Sequence, residues 1–565
     1  AVRLSGAPEL LKDHVVGGVR RTLWILLGMV GFVLLIACAN VANLFLVRSE
    51  ARQREVAVRR ALGAGRAGLI RYFLTESVLL SLAAVGTGLV LARVGVQLLV
   101  RFGPENLPRL NEVAVDARTV LCALGLAFLA SLIFGAIPML RPASALAGTL
   151  RDGGRNATAG RARFRARNIL MAGQVALALV LLIASGLMVR SFMRLRAVDP
   201  GFAAENLLTF DVSLTRNEFP DRPSAVAFHE ALLERMRALP GVSSAGAVGC
   251  LPLTGSCWGD PLLVRGRPLP PGQLPPLVQM RRALPGFFEA MRIPTVQGRT
   301  LVPADHQQRT GAMVLSRRAA QLYFPGENPL GKQLGLMFDD EAGSEGRWYT
   351  IVGVVGDTPV ERLDEAPYGV VYFPALDPKG DNGSGVHSMA FALRTTLPPM
   401  SLARAVRAAA AQVNPNVALS HIRSMEMIVD DATSRMAFTM VLLLIAGGIA
   451  LLLGAVGIYG VISYLVSQRT SEIGVRMALG ARPGDVSGMV LRQSGAVIGI
   501  GVVIGLAGAL ALTRVLTALL FQVTATDAMT YAAVTTFLLL IGALASWLPA
   551  RRAAALDPLT ALRTE

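Results

Sequence analysis

The sequence predicts an α-helical membrane protein, with seven transmembrane helices in two repeated modules and one large α/β extracytoplasmic domain. Three observations predict it. The 565-residue chain is 53% hydrophobic and only 16% charged, with a mean hydropathy of +0.51, a composition of integral membrane proteins. Seven segments are long and apolar enough to cross a bilayer: residues 22–47, 73–100, 120–140, 168–189, 436–466, 489–516 and 529–548. Finally, Arg52-Gln-Arg-Glu-Val-Ala-Val-Arg-Arg-Ala-Leu-Gly-Ala64 returns as Arg469-Thr-Ser-Glu-Ile-Gly-Val-Arg-Met-Ala-Leu-Gly-Ala481 at a constant offset of 417 residues. A period of that length marks duplicated membrane modules and not a short-period solenoid.

Taken in order, residues 1–21 read as the end of a truncated first outer domain. The chain starts at Ala1 without Met, and its first helix must enter from outside, so an N-terminally incomplete protein is expected. Residues 22–140 form the first membrane module of three helices. A linker at 141–167 follows, with Arg151-Asp-Gly-Gly-Arg-Asn-Ala-Thr-Ala-Gly-Arg161 at its centre. Residues 168–190 are the first helix of the second module, 191–435 its outer domain, 436–549 its three remaining helices, and 550–565 a tail.

Charge orients these pieces. The net charge is +17, yet residues 191–435 hold 24 basic and 24 acidic side chains, so the excess lies in the membrane portion. Residues 48–71 carry seven Arg against two Glu, and residues 141–167 seven Arg against Asp152 alone. The positive-inside rule places both stretches, the 467–488 loop and the tail in the cytoplasm, and residues 191–435 outside. Basic residues that flank membrane helices speak for a lipid bilayer as partner and against nucleic acid. Cys38 and Cys122 fall inside helices and read as small apolar residues. Cys250 and Cys257 share one outer loop, where an oxidising compartment allows a local disulfide or two thiols.

Within the outer domain, 207–214 alternates as a strand, 224–239 has helical periodicity, and 242–248 is a second strand. Segments 388–394, 401–413 and 417–422 repeat strand–helix–strand. Two such units separated in sequence predict a split, ferredoxin-like subdomain. Between them, short strands at 312–316, 348–355 and 369–373 predict a largely β insertion, and the Pro-rich 268–276 an exposed loop.

Chemistry is sparse. His14, His229, His306, His387 and His421 are scattered without metal-ligand spacing and read as surface polar residues; no catalytic, cofactor or metal set assembles. Gly326-Glu-Asn-Pro-Leu-Gly-Lys332-Gln333 fits a phosphate loop except at its end, where Gln333 replaces the Ser or Thr that reaches Mg²⁺. Pro329 interrupts the cradle, so a turn between strands is the reading. Among the helix glycines, Gly454, Gly457, Gly460, Gly495, Gly499, Gly501 and Gly505 fit small-residue packing. The repeated stretch is the functional candidate. It is a short amphipathic helix ended by glycine, with Arg52, Glu55, Arg59 and Gly63 matched by Arg469, Glu472, Arg476 and Gly480. Such a helix lies on a membrane or docks in a partner's groove; the recurrence of Glu and Arg favours the groove.

At these residues the chain resembles a known family. Glu-x-x-x-Arg-x-Ala-Leu-Gly-Ala after a transmembrane helix is similar to the FtsX/MacB-type permeases of type VII ABC systems. The outer domain resembles the MacB periplasmic core domain in Phe287-Phe288, Gly298-Arg299, Asn328-Pro-Leu-Gly-Lys332 and Ile351-Val-Gly-Val-Val-Gly-Asp357. The lead from Ser424-Met to Arg435-Met436 matches too, and Ala37-Cys-Ala-Asn-Val-Ala-Asn43 is most similar to acidobacterial-type duplicated permeases. The resemblance implies a multi-pass protein of the bacterial inner (plasma) membrane with residues 191–435 periplasmic. A cytoplasmic ABC ATPase dimer would close on ATP, and the helices would relay that motion outward. Both permease halves would lie in one chain. Because neither linker nor termini carry a phosphate loop, the chain is read as no enzyme, with the ATPase on a separate polypeptide. A periplasmic adaptor or envelope protein is a further expected partner. The alternative is an FtsX-like or ATP-independent scaffold that regulates a periplasmic partner and exports nothing.

Overall fold

In the computed structural model the described residues are 11–51, 66–102, 114–136, 157–255, 258–269, 273–308, 310–336, 348–375, 386–479 and 481–555. They divide into two compact units, Leu195–Arg435 and the remainder, Ala7–Arg194 with Met436–Glu565.

The membrane unit begins with α1 (Leu11–Ala51), α2 (Arg66–Phe102), α3 (Ala117–Ala136) and α4 (Ala157–Arg196). Further along the chain, α10 (Met425–Gln468), α11 (Thr470–Ala478), α12 (Pro483–Leu516) and α13 (Ala528–Ala554) complete it. Six of these helices are long and apolar enough to cross a membrane. The seventh expected span falls on α3, whose described apolar stretch, Ala117–Leu126, is shorter. Several helices outrun their apolar segments: α10 starts at Met425 because backbone hydrogen bonding continues through Asp430, Asp431 and Arg435, which hydropathy does not register.

At the centre lies α4. Met171, Leu179, Ile183 and Leu187 are essentially inaccessible, in one cluster with Met29 and Ile36 of α1, Leu443, Ala450 and Ile458 of α10, Val502 of α12 and Leu538 of α13. Lipid tails are as apolar as these side chains, so close fit must hold the helices together. Two of the expected packing glycines provide it. A Cβ on Gly501 would lie 2.7 Å from the Ala172 carbonyl oxygen, and one on Gly505 3.0 Å from Ala176 Cα. Gly495, Gly499 and Gly460 have nothing within 4 Å, so sequence spacing alone did not separate contact from bystander. Ser185 Oγ of α4 adds a hydrogen bond of 2.8 Å to the Leu443 carbonyl.

Two helix starts share a cap that the repeated loop motif did not reveal. Asp116 Oδ1 accepts from the Thr119 amide at 2.8 Å and its hydroxyl at 2.7 Å; Asp527 Oδ2 accepts from the Thr530 amide at 3.0 Å and its hydroxyl at 2.6 Å. Both read Asp-Ala-x-Thr, and each satisfies donors left open at a helix N-terminus. Their offset is 411 residues, six fewer than 417, so the stretch between loop motif and cap is six residues longer at its first occurrence. Arg190 near the end of α4 pairs with the Asp527 carboxylate that caps α13.

The outer unit contains β1 (Leu207–Ser213), α5 (Arg222–Arg237), β2 (Val242–Val248), β3 (Gly259–Val264), β4 (Leu277–Ala283), α6 (Phe287–Met291), β5 (Thr295–Gly298) and α7 (Pro303–Gln307). It continues with β6 (Ala312–Ser316), α8 (Arg317–Tyr323), β7 (Gln333–Leu336), β8 (Trp348–Val355), β9 (Val370–Pro374), β10 (Ser388–Thr395), α9 (Ala403–Val413) and β11 (Leu419–Ser424). Strands β11-β1-β10-β2 form an antiparallel sheet. Helices α5 and α9 join its two strand–helix–strand units and pack on it around Phe210, Leu232, Phe391 and Val406, which is the split arrangement expected. Phe210 and Phe391 lie opposite in register and stack at 5.1 Å.

The insertion is more ordered than its sequence suggested. Strands β4-β3-β7-β8-β6-β9 follow one another, and β9 pairs back onto β4 in parallel, closing a six-stranded ring. Val278, Met280, Leu315, Leu334, Tyr349, Ile351 and Phe373 form its core. The β3, β4, β5 and β7 strands escaped prediction; β4 carries Arg281 and Arg282 where alternation would want apolar or solvated residues.

Candidate functional site

The repeated loop motif can be followed in its second copy. Arg52, Glu55, Arg59 and Gly63 of the first copy, and Gly480 of the second, lie outside the described residues. In the second copy, α10 stops at Gln468 and α11 begins two residues later. Pro483 opens α12, with the Asp485 carboxylate accepting from the Arg482 amide at 3.1 Å. A nine-residue helix has too few hydrogen bonds to persist alone, so tertiary contact must hold it. Ile473, 1% exposed, provides that contact in a cluster with Val486 of α12, Ala553 of α13, Val466 and Met477. One side of α11 is thus fixed to the helices on either side of it.

Its other side is open. Glu472 Oε1 accepts from Arg476 Nη2 at 2.6 Å, and Arg469 lies 4.0 Å from the same carboxylate. All three are about half exposed, and an i,i+4 pair in such a setting is worth about 0.3–0.5 kcal/mol. Matched Glu and Arg therefore shape the surface more than they stabilise the helix. Beside them stand Val475 and Leu479, 44% and 83% exposed. These two were not singled out from sequence, although the signal was present: Val58 and Leu62 repeat them at the same offset. An anchored helix with an apolar pair and an ion pair on its solvent side fits recognition of a partner groove.

The other candidates sort into structural roles. Cys38 and Cys122 are unbonded; Cys250 is disulfide-bonded, while Cys257 lies outside the described residues. Lys332 is engaged by Glu327 and lies 4.9 Å from the Phe324 ring centre, and the Gly331 amide donates to the Ile351 carbonyl. The apparent phosphate loop is a turn entering β7, with Gly326 and Gly331 at positive φ.

The histidine expectation needs correcting. His229 and His306 are 0% and 1% exposed. Desolvation by burial lowers each pKa to about 4, so both are neutral at pH 7. His229 Nε2 is 2.9 Å from the Val386 carbonyl. Aromatic neighbours Phe228 and Phe391 complete its surroundings, so it is a core residue; isolated polar residues give no sequence sign of such burial. Asp305, 1% exposed, is a buried carboxylate. Burial pushes its carboxyl up, but Arg299 (2.6 and 2.9 Å), the Val302 amide (3.0 Å) and Thr310 Oγ1 (2.9 Å) outweigh that and hold it below the usual carboxylate range. The Gly298-Arg299 pair thus has a structural purpose: Gly298 sits at φ 70°, where a Cβ would come 2.3 Å from the Val352 carbonyl oxygen. Among the described residues no group of three or more His, Cys, Asp or Glu could hold a metal.

Comparison with known proteins agrees with this arrangement. The FtsX-like permease C-terminal model matches residues 27–145 and again 444–558, and the MacB-like periplasmic core domain model matches residues 169–419. The chain is 27% identical over 289 residues to the macrolide export ATP-binding/permease protein MacB of Marinobacter nauticus, covering 49% of this chain and 42% of that protein. It is 27% identical over 296 residues to the pyoverdine export ATP-binding/permease protein PvdT of Pseudomonas aeruginosa, covering 49% and 41%. The chain therefore spans less than half the length of these curated relatives. The crystal structure of the periplasmic region of MacB from Actinobacillus actinomycetemcomitans aligns at 16% identity and a TM-score of 0.27, covering 40% of this chain and 92% of that one. With two permease matches flanking the core-domain match, the chain belongs to the FtsX/MacB-type membrane ABC permeases and carries a MacB-like periplasmic core domain.

Proposed function

We propose that this chain is the permease subunit of a MacB/FtsX-type system, driven by an ABC ATPase on a separate polypeptide. Motion of that ATPase enters through the two copies of the loop helix and travels along the membrane helices to the outer domain, which acts in efflux or envelope extraction. One observation carries the reading: α11 is anchored by Ile473 to α12 and α13 while Glu472, Val475, Arg476 and Leu479 stay exposed. A lever needs both a fixed side and a free one. In this reading the membrane helices number seven, in two modules that together form a pseudo-dimer, with residues 48–71, 141–167 and 467–488 cytoplasmic and 191–435 periplasmic. The relatives are named for macrolide and pyoverdine export; in this reading an adaptor or envelope protein meets the outer domain.

The test is recovery of the cognate ATPase by the full chain. Burying a leucine contributes roughly 1.5–3 kcal/mol, so Leu62→Asp with Leu479→Asp should lower recovery by orders of magnitude. Glu55→Arg with Glu472→Arg should do likewise, since charge reversal in a docked groove places like charges together. Single variants should lose less, because two sites on one chain bind with avidity. Equal recovery throughout would remove these loops from the mechanism and favour the ATP-independent scaffold.

A further inference from the structure

The offset of 417 residues continues without a gap from the loop motif back through the helix that precedes it. It aligns α1 with α10, matching Thr22 to Thr439, Leu26 to Leu443, Gly31 to Gly448, Leu34 to Leu451 and Leu35 to Leu452. In this alignment Ile36 corresponds to Leu453, Asn40 to Gly457 and Asn43 to Gly460. The same positions meet in space. Asn40 Nδ2 donates to the Leu453 carbonyl at 2.7 Å, and a Cβ on Gly457 would lie 2.3 Å from Asn40 Oδ1. Asn40 therefore touches its own counterpart and the counterpart of the residue one turn before it. In a two-fold arrangement only a residue at the axis meets its own mate.

Burial follows the same pattern. On α1, Met29, Ile36, Asn40 and Asn43 are buried and Val33 is half-buried; on α10, Ala446, Ala450 and Gly457 are buried and Leu453 and Gly460 half-buried. These are matched positions, spaced by alternating intervals of four and three, as in the seam of two helices wound together. At one point the seam departs from symmetry: one helix carries an amide where the other has no side chain at all. Around that point Gln174 of α4, 1% exposed, donates through Nε2 to Asn40 Oδ1 at 3.2 Å. Its own Oε1 and both polar atoms of the Asn43 side chain are buried without a hydrogen-bond partner.

We propose that Asn40 and Gly457 form a specificity pair that directs the α1 helix onto the α10 helix of the same chain and disfavours like-with-like pairing between chains. Two Asn-bearing helices would collide at the axis, because the space that Asn40 occupies exists only where Gly457 faces it. Two Gly-bearing helices would meet without the amide that bonds Leu453 and Gln174. Only the mixed pair both fits and gives the buried Asn40 amide its partners, and a single polar residue in such a seam is known to select partners. The surface and its partner are thus both encoded in one chain. This rests on the pseudo-dimer reading above.

The experiment uses the full chain in detergent, with Cys38→Ser, Cys122→Ser and a protease site placed in the 141–167 linker. After cleavage, co-elution of the two halves measures the pairing. Gly457→Asn should lower retention by roughly tenfold or more, since overpacking a seam is felt strongly. Asn40→Gly should lower it less. The exchange Asn40→Gly/Gly457→Asn restores one amide against one glycine and should recover most of the retention, with the unpartnered Gln174 Oε1 able to accept from the relocated amide. Should Gly457→Asn fail to accumulate, Gly457→Ala and its relief by Asn40→Ala make the same comparison. Recovery in the compensated variant supports the pair; an exchange no better than the single variants overturns it. A separate oxidation of Asn40→Cys/Gly457→Cys in the uncleaved chain keeps the two ideas apart. A missing intrachain crosslink would defeat the pseudo-dimer itself, whereas a crosslink with no effect of the amide exchange would defeat only the specificity pair.

Discussion

Replacing Gly505 with alanine adds one methyl group at a place with no room for it. The new carbon would lie 3.0 Å from both Cα and the carbonyl oxygen of Ala176 and 3.1 Å from Leu179 Cβ, two of which are backbone atoms that cannot rotate away. Gly501 is tighter, at 2.7 Å from the Ala172 carbonyl oxygen and 2.8 Å from Val175 Cβ. Inserting a methyl into a well-packed contact costs about 1–3 kcal/mol. Backbone on the opposing side argues for the upper part of that range, a loss of about 2–3 kcal/mol for either variant. The double variant should fall short of the sum, because the two sites are one turn apart and share α4 as partner. Gly499→Ala is the control: nothing lies within 4 Å of its added carbon, so a change within about 0.5 kcal/mol is expected. The assay is unfolding of the purified chain by increasing SDS in mixed micelles, followed by near-ultraviolet circular dichroism. Equal midpoints for Gly505→Ala and Gly499→Ala would refute the claim that α12 holds α4 by close approach.

Acid should weaken the outer domain in two windows. His229 and His306 have folded pKa values near 4 against an ordinary 6.5, so the unfolded chain binds more protons between those limits and stability falls as pH drops from about 6.5 towards 4. Hydrogen exchange of α5 in the full chain reads this, and His229→Gln should flatten it. Asp305, held low by Arg299, contributes stability that is present above the ordinary carboxylate range and lost as pH falls through its depressed folded value. Arg299→Ala should cost about 1–3 kcal/mol at pH 7 and weaken the dependence below pH 4. For the loop of Cys250, we propose Cys257 as partner; peptide mapping without reductant should recover the two together, and separate peptides would reject the pairing.

How much was legible in the sequence depended on what each signal measures. Hydropathy and loop charge report transfer into lipid, so the apolar spans emerged, while helix ends at Met425 and Ala157 did not. The β1-α5-β2 and β10-α9-β11 units were readable because one face of each is buried and the other wet, the condition that produces periodicity. Closure of the ring through β9 and β4 was hidden, since Arg281 is buried at a position where alternation calls for solvent. For the candidate site, attention to charge found Glu472 and Arg476 but passed over Leu479, whose meaning comes from its 83% exposure. An apolar residue in an amphipathic helix is assigned to the core until geometry shows that Ile473 already fills that role.

The central claim is that ATP hydrolysed on another polypeptide is coupled to this chain through its two loop helices. It is tested most directly by the ATP turnover of the cognate ATPase, measured alone and with the full chain reconstituted in lipid nanodiscs. Wild type should raise turnover severalfold, and the paired variants Leu62→Asp/Leu479→Asp and Glu55→Arg/Glu472→Arg should return it to the basal rate while the chain remains folded. Turnover that wild type leaves unchanged, or that both paired variants stimulate as fully as wild type, would contradict the account.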